Sequence, residues 1–92
     1  MNIQEYADVL NLELGLTRYP NQNNRWVARF ESCETKDGAD DCMLTSTYGN
    51  GSDPSSAIGD YVDQIKGKLL VVNASSDALR REYLVPQTLT AR

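Results

Sequence analysis

Histidine is absent from this chain of 92 residues, and cysteine occurs only twice, at Cys33 and Cys42. Imidazole is the side chain that ordinarily titrates near neutral pH, so the chain has no default general base and no Ser-His-Asp or Cys-His arrangement. A structural zinc ion usually takes four Cys or His ligands, more than one chain offers here. The sequence therefore predicts no cofactor, no metal site and no histidine-based catalysis.

Long apolar runs and a secretory signal are also missing. No stretch approaches the roughly 20 apolar residues that cross a bilayer, and residues 1–5 lack the basic and apolar regions of a signal peptide. The length fits a single domain over residues 1–92, with little interior volume for a deep, dry active site. We therefore expect a non-enzymatic, cytoplasmic protein that binds another macromolecule and neither enters a membrane nor takes a small-molecule substrate.

Two helices are indicated by capping residues and by apolar side chains at helical spacing. Asn2 begins the first helix, with Glu5 as its capping-box partner. Asp53 caps the second helix, Pro54 takes its first position, and Gly67 ends it. The apolar faces consist of Ile3, Tyr6, Ala7 and Leu10 in the first helix, and of Ala57, Ile58, Tyr61, Val62 and Ile65 in the second.

Five strands are predicted from alternating apolar residues bounded by turn residues. Their approximate ranges are 10–17, 25–31, 42–48, 68–74 and 81–85, with a polar loop over 34–41, a glycine turn over 49–52 and a loose tail over 87–92. The resulting order is α-β-β-β-α-β-β. The sequence thus predicts an α+β fold in which a mostly antiparallel five-stranded sheet carries both helices on one face.

Charge is distributed unevenly along the chain, whose formal net charge is −4. Residues 31–63 carry eight acidic side chains and one basic one, whereas residues 64–92 carry two acidic and five basic ones. Such an asymmetry can create opposite fields on one surface, although a mixed, solvated surface would have the same composition.

Three groups of charged residues are candidates for contact with a partner. Arg25 and Arg29 share one strand face, and the planar guanidinium favours interfaces and phosphates. The acidic strip over 31–41 is either a solvated loop or a phosphate-mimicking surface that docks on a basic, nucleic-acid-handling partner. The predicted partner-binding residues are Arg25 and Arg29, then Glu31, Glu34, Asp40 and Asp41, and then a basic cluster of Lys66, Lys68, Arg80 and Arg81.

Several other motifs have structural interpretations. Gly49-Asn50-Gly51 before a helix resembles a phosphate loop only weakly and is interpreted as a turn. Asp60 and Asp63 are assigned to a solvated helix face. The two cysteines are interpreted as small apolar residues at paired strand ends, where a disulfide requires the register to bring them together. Tyr19 and Tyr48 are candidate rim aromatics.

Five segments together carry a family resemblance: RWVARFE (25–31), STYGNGSDP (46–54), AIGDY (57–61), GKLLV (67–71) and RREYLVP (80–86). This pattern resembles a family of small phage and prophage proteins that includes an anti-CRISPR protein acting on the type I-F surveillance complex. The resemblance implies a non-enzymatic inhibitor in the host cell cytoplasm. Such an inhibitor binds Cas proteins or their crRNA and obstructs hybridisation with target DNA.

Two further functions compete with this interpretation. The order of hairpin, strand, glycine-rich turn and helix is also similar to the antitoxin half of HicAB-type modules, which implies a small nucleic-acid-binding module. A magnesium-dependent hydrolase would require Glu31, Asp41 and Asp60 to converge in one pocket.

Overall fold

The computed structural model describes residues 1–40 and 42–92. Across these residues the chain forms two α-helices and six strands, which build two three-stranded antiparallel sheets. The elements are α1 (Ile3–Leu10), β1 (Leu14–Tyr19), a 3-10 turn (Pro20–Gln22), β2 (Arg25–Phe30), β3 (Cys33–Lys36), β4 (Gly49–Gly51), α2 (Pro54–Ile65), β5 (Leu69–Val72) and β6 (Arg81–Leu84). The predicted α+β class is confirmed.

The prediction of one five-stranded sheet is wrong, because the strands divide into β1-β2-β4 and β3-β5-β6. Ser32 separates the two sheets and adopts a left-handed conformation with φ 59°. Just before it, the backbone N–H of Glu31 donates to the carbonyl of Glu13, the residue that precedes β1; just after it, Cys33 pairs with Val72 in the second sheet. One left-handed residue therefore turns the chain from one sheet into the other.

Both helices begin at their predicted capping residues. Asn2 and Glu5 form a reciprocal capping box, in which Asn2 Oδ1 accepts from the backbone N–H of Glu5 at 2.8 Å and Glu5 Oε1 accepts from that of Asn2 at 2.9 Å. Asp53 Oδ1 accepts from the backbone N–H of Ser56 at 2.7 Å, with Pro54 at the first helical position. Of the described residues, none belongs to a helix long and apolar enough to span a membrane.

The predicted strand over residues 42–48 does not form. Thr45 alone bridges to Thr35, through backbone hydrogen bonds of 3.0 and 2.8 Å, while Cys42 and Met43 remain exposed. A strand instead occupies Cys33–Lys36 and takes up the start of the predicted polar loop, because the side chains of Cys33 and Thr35 are buried there. Cys33 and Cys42 are both free, the first buried and the second exposed.

Phe30 lies at the centre of the core and joins both helices to β2. Its ring centroid is 6.3 Å from that of Tyr6 on α1 and 5.7 Å from that of Tyr61 on α2. The Tyr61 hydroxyl accepts a 3.0 Å hydrogen bond from the backbone N–H of Phe30. Burial raises the pKa of Tyr61 to about 12, so this hydroxyl stays protonated in ordinary buffers.

In the tail over residues 87–92, for which the sequence predicts a loose conformation, Leu89 and Thr90 contact the rest of the fold. Leu89 is buried in the core cluster. Thr90 forms a parallel bridge with Asn2, and its carbonyl accepts from the backbone N–H of Ile3 at 2.8 Å. The sequence pattern concealed this packing because a single buried leucine gives no periodic signal.

Lys36 on β3 is a buried base with a carboxylate partner on β6. Its Nζ lies 2.8 Å from Glu82 Oε1, and its side chain is 7 % exposed. The second oxygen of Glu82 accepts from Arg80 Nη2 at 3.2 Å. The hydrogen bond from Lys36, assisted by that from Arg80, holds the pKa of Glu82 below its usual value.

Acidification is therefore expected to weaken the fold through Glu82. The folded-state pKa of this carboxyl is depressed, so the ion pair stabilises the protein above the unfolded-state pKa and ceases to do so as the pH falls through the folded-state pKa. Glu82→Gln should lower the urea midpoint near pH 7 and have progressively less effect below about pH 4. Asp63→Asn, which removes an exposed pair with Lys66, should change little at either pH. A Glu82→Gln effect that is independent of pH would contradict this prediction.

Candidate functional site

The outer face of the β1-β2-β4 sheet carries a basic groove. Alternation along β2 buries Ala28 and Phe30 and turns Arg25, Val27 and Arg29 to the opposite face. Tyr19 on β1 lies directly opposite Arg25. The arginine–tyrosine groove, as we name it, has a volume of about 360 Å³ and is lined by Tyr19, Arg25, Val27, Arg29 and Tyr48.

Arg25 is held in place by aromatic rings and neutral oxygens. Its guanidinium carbon lies 5.8 Å from the ring centroids of both Tyr19 and Tyr48. Nε donates to Asn50 Oδ1 at 2.5 Å, and Nη1 donates to Gln22 Oε1 at 2.9 Å. These contacts orient the guanidinium without neutralising its charge, and no further hydrogen bond from the described part of the chain occupies its other N–H donors.

Arg29 is held in a similar way at the other end of the groove. Its Nη2 donates to the backbone carbonyl of Cys33 at 3.0 Å. Across residues 1–40 and 42–92, neither Arg25 nor Arg29 forms a salt bridge with a carboxylate. The groove therefore presents two fixed cations that lack an acidic partner in the described chain.

The hairpin that carries the groove is basic although the chain as a whole is acidic. Residues 14–30 contain Arg18, Arg25 and Arg29 and no acidic side chain, while the formal net charge of the chain is −4. Arg18 belongs to the opposite face of the hairpin and donates to Asn24 Oδ1 at 2.7 Å. The hairpin is therefore locally basic on an acidic molecule, and two of its three arginines belong to the groove face.

The predicted glycine turn is in fact strand β4, which supports one wall of the groove. It pairs with β2 through Ala28↔Gly49, Val27↔Asn50 and Trp26↔Gly51. A Cβ at Gly49 would overlap the carbonyl oxygen of Ala57 on α2, so only glycine allows this approach. The backbone N–H of Asn50 donates to Asp60 Oδ2, so it is not free to bind a phosphate.

The acidic strip does not form one continuous loop. Glu31 is exposed just after β2, Glu34 is half-buried within β3, and Asp40 is exposed in the turn that follows β3. Asp41 lies outside the described residues. Strand β3 thus interrupts the predicted loop: Glu34 lies within the strand, and Glu31 and Asp40 lie before and after it.

The predicted basic cluster is spread out and largely paired. Lys66 contacts Asp63 at 3.3 Å, Lys68 contacts Asp37 at 3.5 Å, and Arg80 contacts Glu82 at 3.2 Å. Lys68 directly precedes β5, whereas Arg81 pairs with Val72 at the other end of that strand. Three of these four cations therefore already have carboxylate partners, whereas Arg25 and Arg29 have none within residues 1–40 and 42–92.

Asp60 takes part in the architecture of the site, although the sequence assigned it to a solvated helix face. It is half-buried, and its Oδ2 accepts from the backbone N–H of Asn50 at 2.8 Å and from Gln64 Nε2 at 2.9 Å.

Within the described residues, no three His, Cys, Asp or Glu side chains are grouped so that they could hold a metal ion.

The sequence analysis singles out four residues that line the groove, Arg25, Arg29, Tyr19 and Tyr48, but not Gln22 and Asn50, whose side-chain amides orient Arg25. Both residues lie in segments that the sequence predicts to be turns, and their only sequence signal is a polar residue between glycines or after a proline.

Comparison of the chain with protein-family models, with curated proteins and with solved structures found no match.

Proposed function

We propose that this chain is a non-catalytic inhibitor that binds a type I-F Cas–crRNA surveillance complex through the arginine–tyrosine groove and blocks hybridisation of target DNA. The observation that carries the proposal is the pair of guanidiniums, Arg25 and Arg29, which are held by neutral acceptors and have no carboxylate partner in the described chain. The family resemblance supplies the identity of the target, and the groove supplies the mode of binding.

A groove of this composition suits an anionic macromolecular surface. A guanidinium binds phosphate or carboxylate oxygens through parallel hydrogen bonds, which gives geometric specificity as well as attraction. Tyrosine adds a large contact area and a polar hydroxyl at little cost in conformational entropy. Because Arg25 is already oriented by Asn50 and Gln22, less entropy is lost when a partner binds.

The charge distribution supports a single docking direction. Residues 14–30 carry three basic side chains and no acidic ones, so the remaining chain carries six basic and thirteen acidic side chains. An anionic assembly attracts the hairpin and repels much of the remaining surface. Electrostatic complementarity of this kind raises the association rate and suppresses other orientations.

Arg25→Gln/Arg29→Gln should impair inhibition. Two charge-assisted contacts are lost while the side chains remain long and polar, so we expect at least about a tenfold higher concentration for half-maximal inhibition. The measurement is a gel shift of labelled target duplex DNA by a purified surveillance complex, titrated with each variant. Lys66→Gln/Lys68→Gln removes the same charge from already paired residues and should shift inhibition by less than about threefold.

Two outcomes of this titration oppose the proposal in different ways. Equal inhibition by the wild type and by Arg25→Gln/Arg29→Gln would remove the groove from the interface. Failure of the wild-type protein to inhibit at any concentration, with the complex active on DNA, would show that the target is wrong.

The basic hairpin also favours a second candidate, direct binding of nucleic acid. Strong non-specific binding needs many phosphate contacts, and residues 14–30 supply only three basic side chains. Fluorescence anisotropy with labelled single-stranded RNA, duplex RNA and duplex DNA separates the two functions. Micromolar binding at physiological salt without Cas proteins, lost in Arg25→Gln/Arg29→Gln, would favour this second candidate.

A further inference from the structure

We infer that Asp60 on α2 is a positioning residue that sets the orientation of Arg25 in the arginine–tyrosine groove. Asp60 does not line the groove itself. Its effect passes through β4, the strand between α2 and the groove wall. The binding part of this inference rests on the proposed function, whereas its structural part can be measured on the free protein.

A chain of hydrogen bonds links the helix to the guanidinium. Asp60 Oδ2 accepts from the backbone N–H of Asn50 at 2.8 Å, which fixes the middle residue of β4. The side-chain oxygen Oδ1 of Asn50 then accepts from Arg25 Nε at 2.5 Å. The backbone of Asn50 is therefore held from the helix side, and its side chain holds the arginine on the groove side.

The same carboxylate oxygen also supports the tyrosine wall. Asp60 Oδ2 accepts from Gln64 Nε2 at 2.9 Å, and this amide nitrogen donates to the backbone carbonyl of Tyr48 at 2.9 Å as well. Tyr48 contributes one of the two rings over the Arg25 guanidinium. Asp60 thus holds Asn50 directly and Tyr48, just before β4, through Gln64, and both of these residues contact Arg25.

The close approach of β4 to α2 makes this arrangement possible. Gly49 and Gly51 lie against the backbone of Ala57 and its neighbours, where a Cβ would overlap helix atoms. Asp60 comes almost one turn after Ala57, so its short side chain reaches the N–H of Asn50. A larger residue at either glycine would move the strand beyond that reach.

The structural test uses the free protein. The Nε–H resonance of Arg25 in a ¹H–¹⁵N spectrum should exchange slowly with water in the wild type, because Asn50 accepts it. In Asp60→Ala we expect at least about a fivefold faster exchange, since β4 loses its anchor. Asp60→Asn keeps an acceptor oxygen and should stay within about twofold of the wild type. Asp63→Ala, on the exposed side of the same helix, is the matched control.

The binding test is a double-mutant cycle in the DNA gel-shift titration. Asp60→Ala should weaken inhibition about fivefold in the wild-type background and by less than about twofold in the Arg25→Gln background, because most of its effect passes through Arg25. Asp60→Asn should inhibit like the wild type. Circular dichroism and thermal unfolding establish that each variant is folded.

The two experiments distinguish the positioning role of Asp60 from the role of the groove as the binding surface. Unchanged Arg25 Nε–H exchange in folded Asp60→Ala, or equal damage from Asp60→Ala and Asp60→Asn, would overturn the positioning role. Additive losses in the cycle would also overturn it. If exchange behaves as expected but Arg25→Gln does not affect inhibition, the positioning role stands and the groove is not the interface.

Discussion

Gly49→Ala is expected to destabilise the protein by more than about 3 kcal/mol, which is a large part of the 5–15 kcal/mol that holds a small domain together. The added Cβ would overlap the carbonyl oxygen of Ala57 and the backbone nitrogen of Tyr61. Both are helix backbone atoms, which cannot move aside as the end of a flexible side chain can. The measurement is urea-induced unfolding followed by tryptophan fluorescence.

Gly59 provides a matched control for this substitution. It lies within α2, and a Cβ built there meets no atom within 4 Å. Alanine has the higher helix propensity, so Gly59→Ala should stabilise the protein by up to about 1 kcal/mol. Opposite signs at the two glycines are the expected result. A Gly49→Ala protein with a wild-type midpoint would show that β4 does not pack against α2 as described.

Phe30→Ala should cost about 3–5 kcal/mol, comparable to the loss expected at Gly49. Phe30 is fully buried and contacts the rings of Tyr6 and Tyr61, so its truncation leaves a cavity between both helices and β2. The packing of both tyrosines should loosen with it. Urea unfolding measures the loss, and near-ultraviolet circular dichroism reports on the tyrosine environment.

The control for Phe30→Ala is a large apolar residue that the core does not use. Leu84 is 67 % exposed, so Leu84→Ala should change the free energy of unfolding by less than about 0.5 kcal/mol. A loss below about 1 kcal/mol for Phe30→Ala would contradict the central position of this ring.

The parts of the fold that sequence predicts well are those with local causes. The capping box of Asn2 and Glu5 and the cap of Asp53 before Pro54 involve residues three or fewer positions apart, and both appear in the structure. The hairpin of β1 and β2 also forms, since its turn residues and alternation lie within one short segment. Local pattern and local geometry agree in these elements.

The division into two sheets has causes that are distant in sequence. Cys33 pairs with Val72 across 39 positions, and this pairing turns a polar segment into β3. Intrinsic strand propensity could not predict β4, because glycine has low propensity and its selection here depends on the backbone of α2. Strands β3 and β4 therefore form because of tertiary contacts, and their local sequence does not predict them.

In the candidate site, too, the local sequence pattern predicts only the features that arise within one strand. Alternation along β2 predicts that Arg25 and Arg29 share a face, and the structure places them in one groove. Asn50 and Asp60, which position Arg25, come from β4 and α2 and have no sequence feature that links them to it. The ion pairs of Lys66, Lys68 and Arg80 likewise depend on the folded arrangement. Charge counting therefore could not distinguish these cations from Arg25 and Arg29, which have no carboxylate partner among the described residues.

Cys33 and Cys42 differ in exposure, so their rates of chemical modification can be used to follow opening of the fold. Cys42 is exposed, whereas Cys33 is 1 % exposed and burial raises its pKa to about 11. The thiolate is the species that attacks maleimides and aromatic disulfides, so at neutral pH the native protein reacts at one cysteine. Modification of the second requires the junction between the two sheets to open, and its rate therefore measures how often that junction separates.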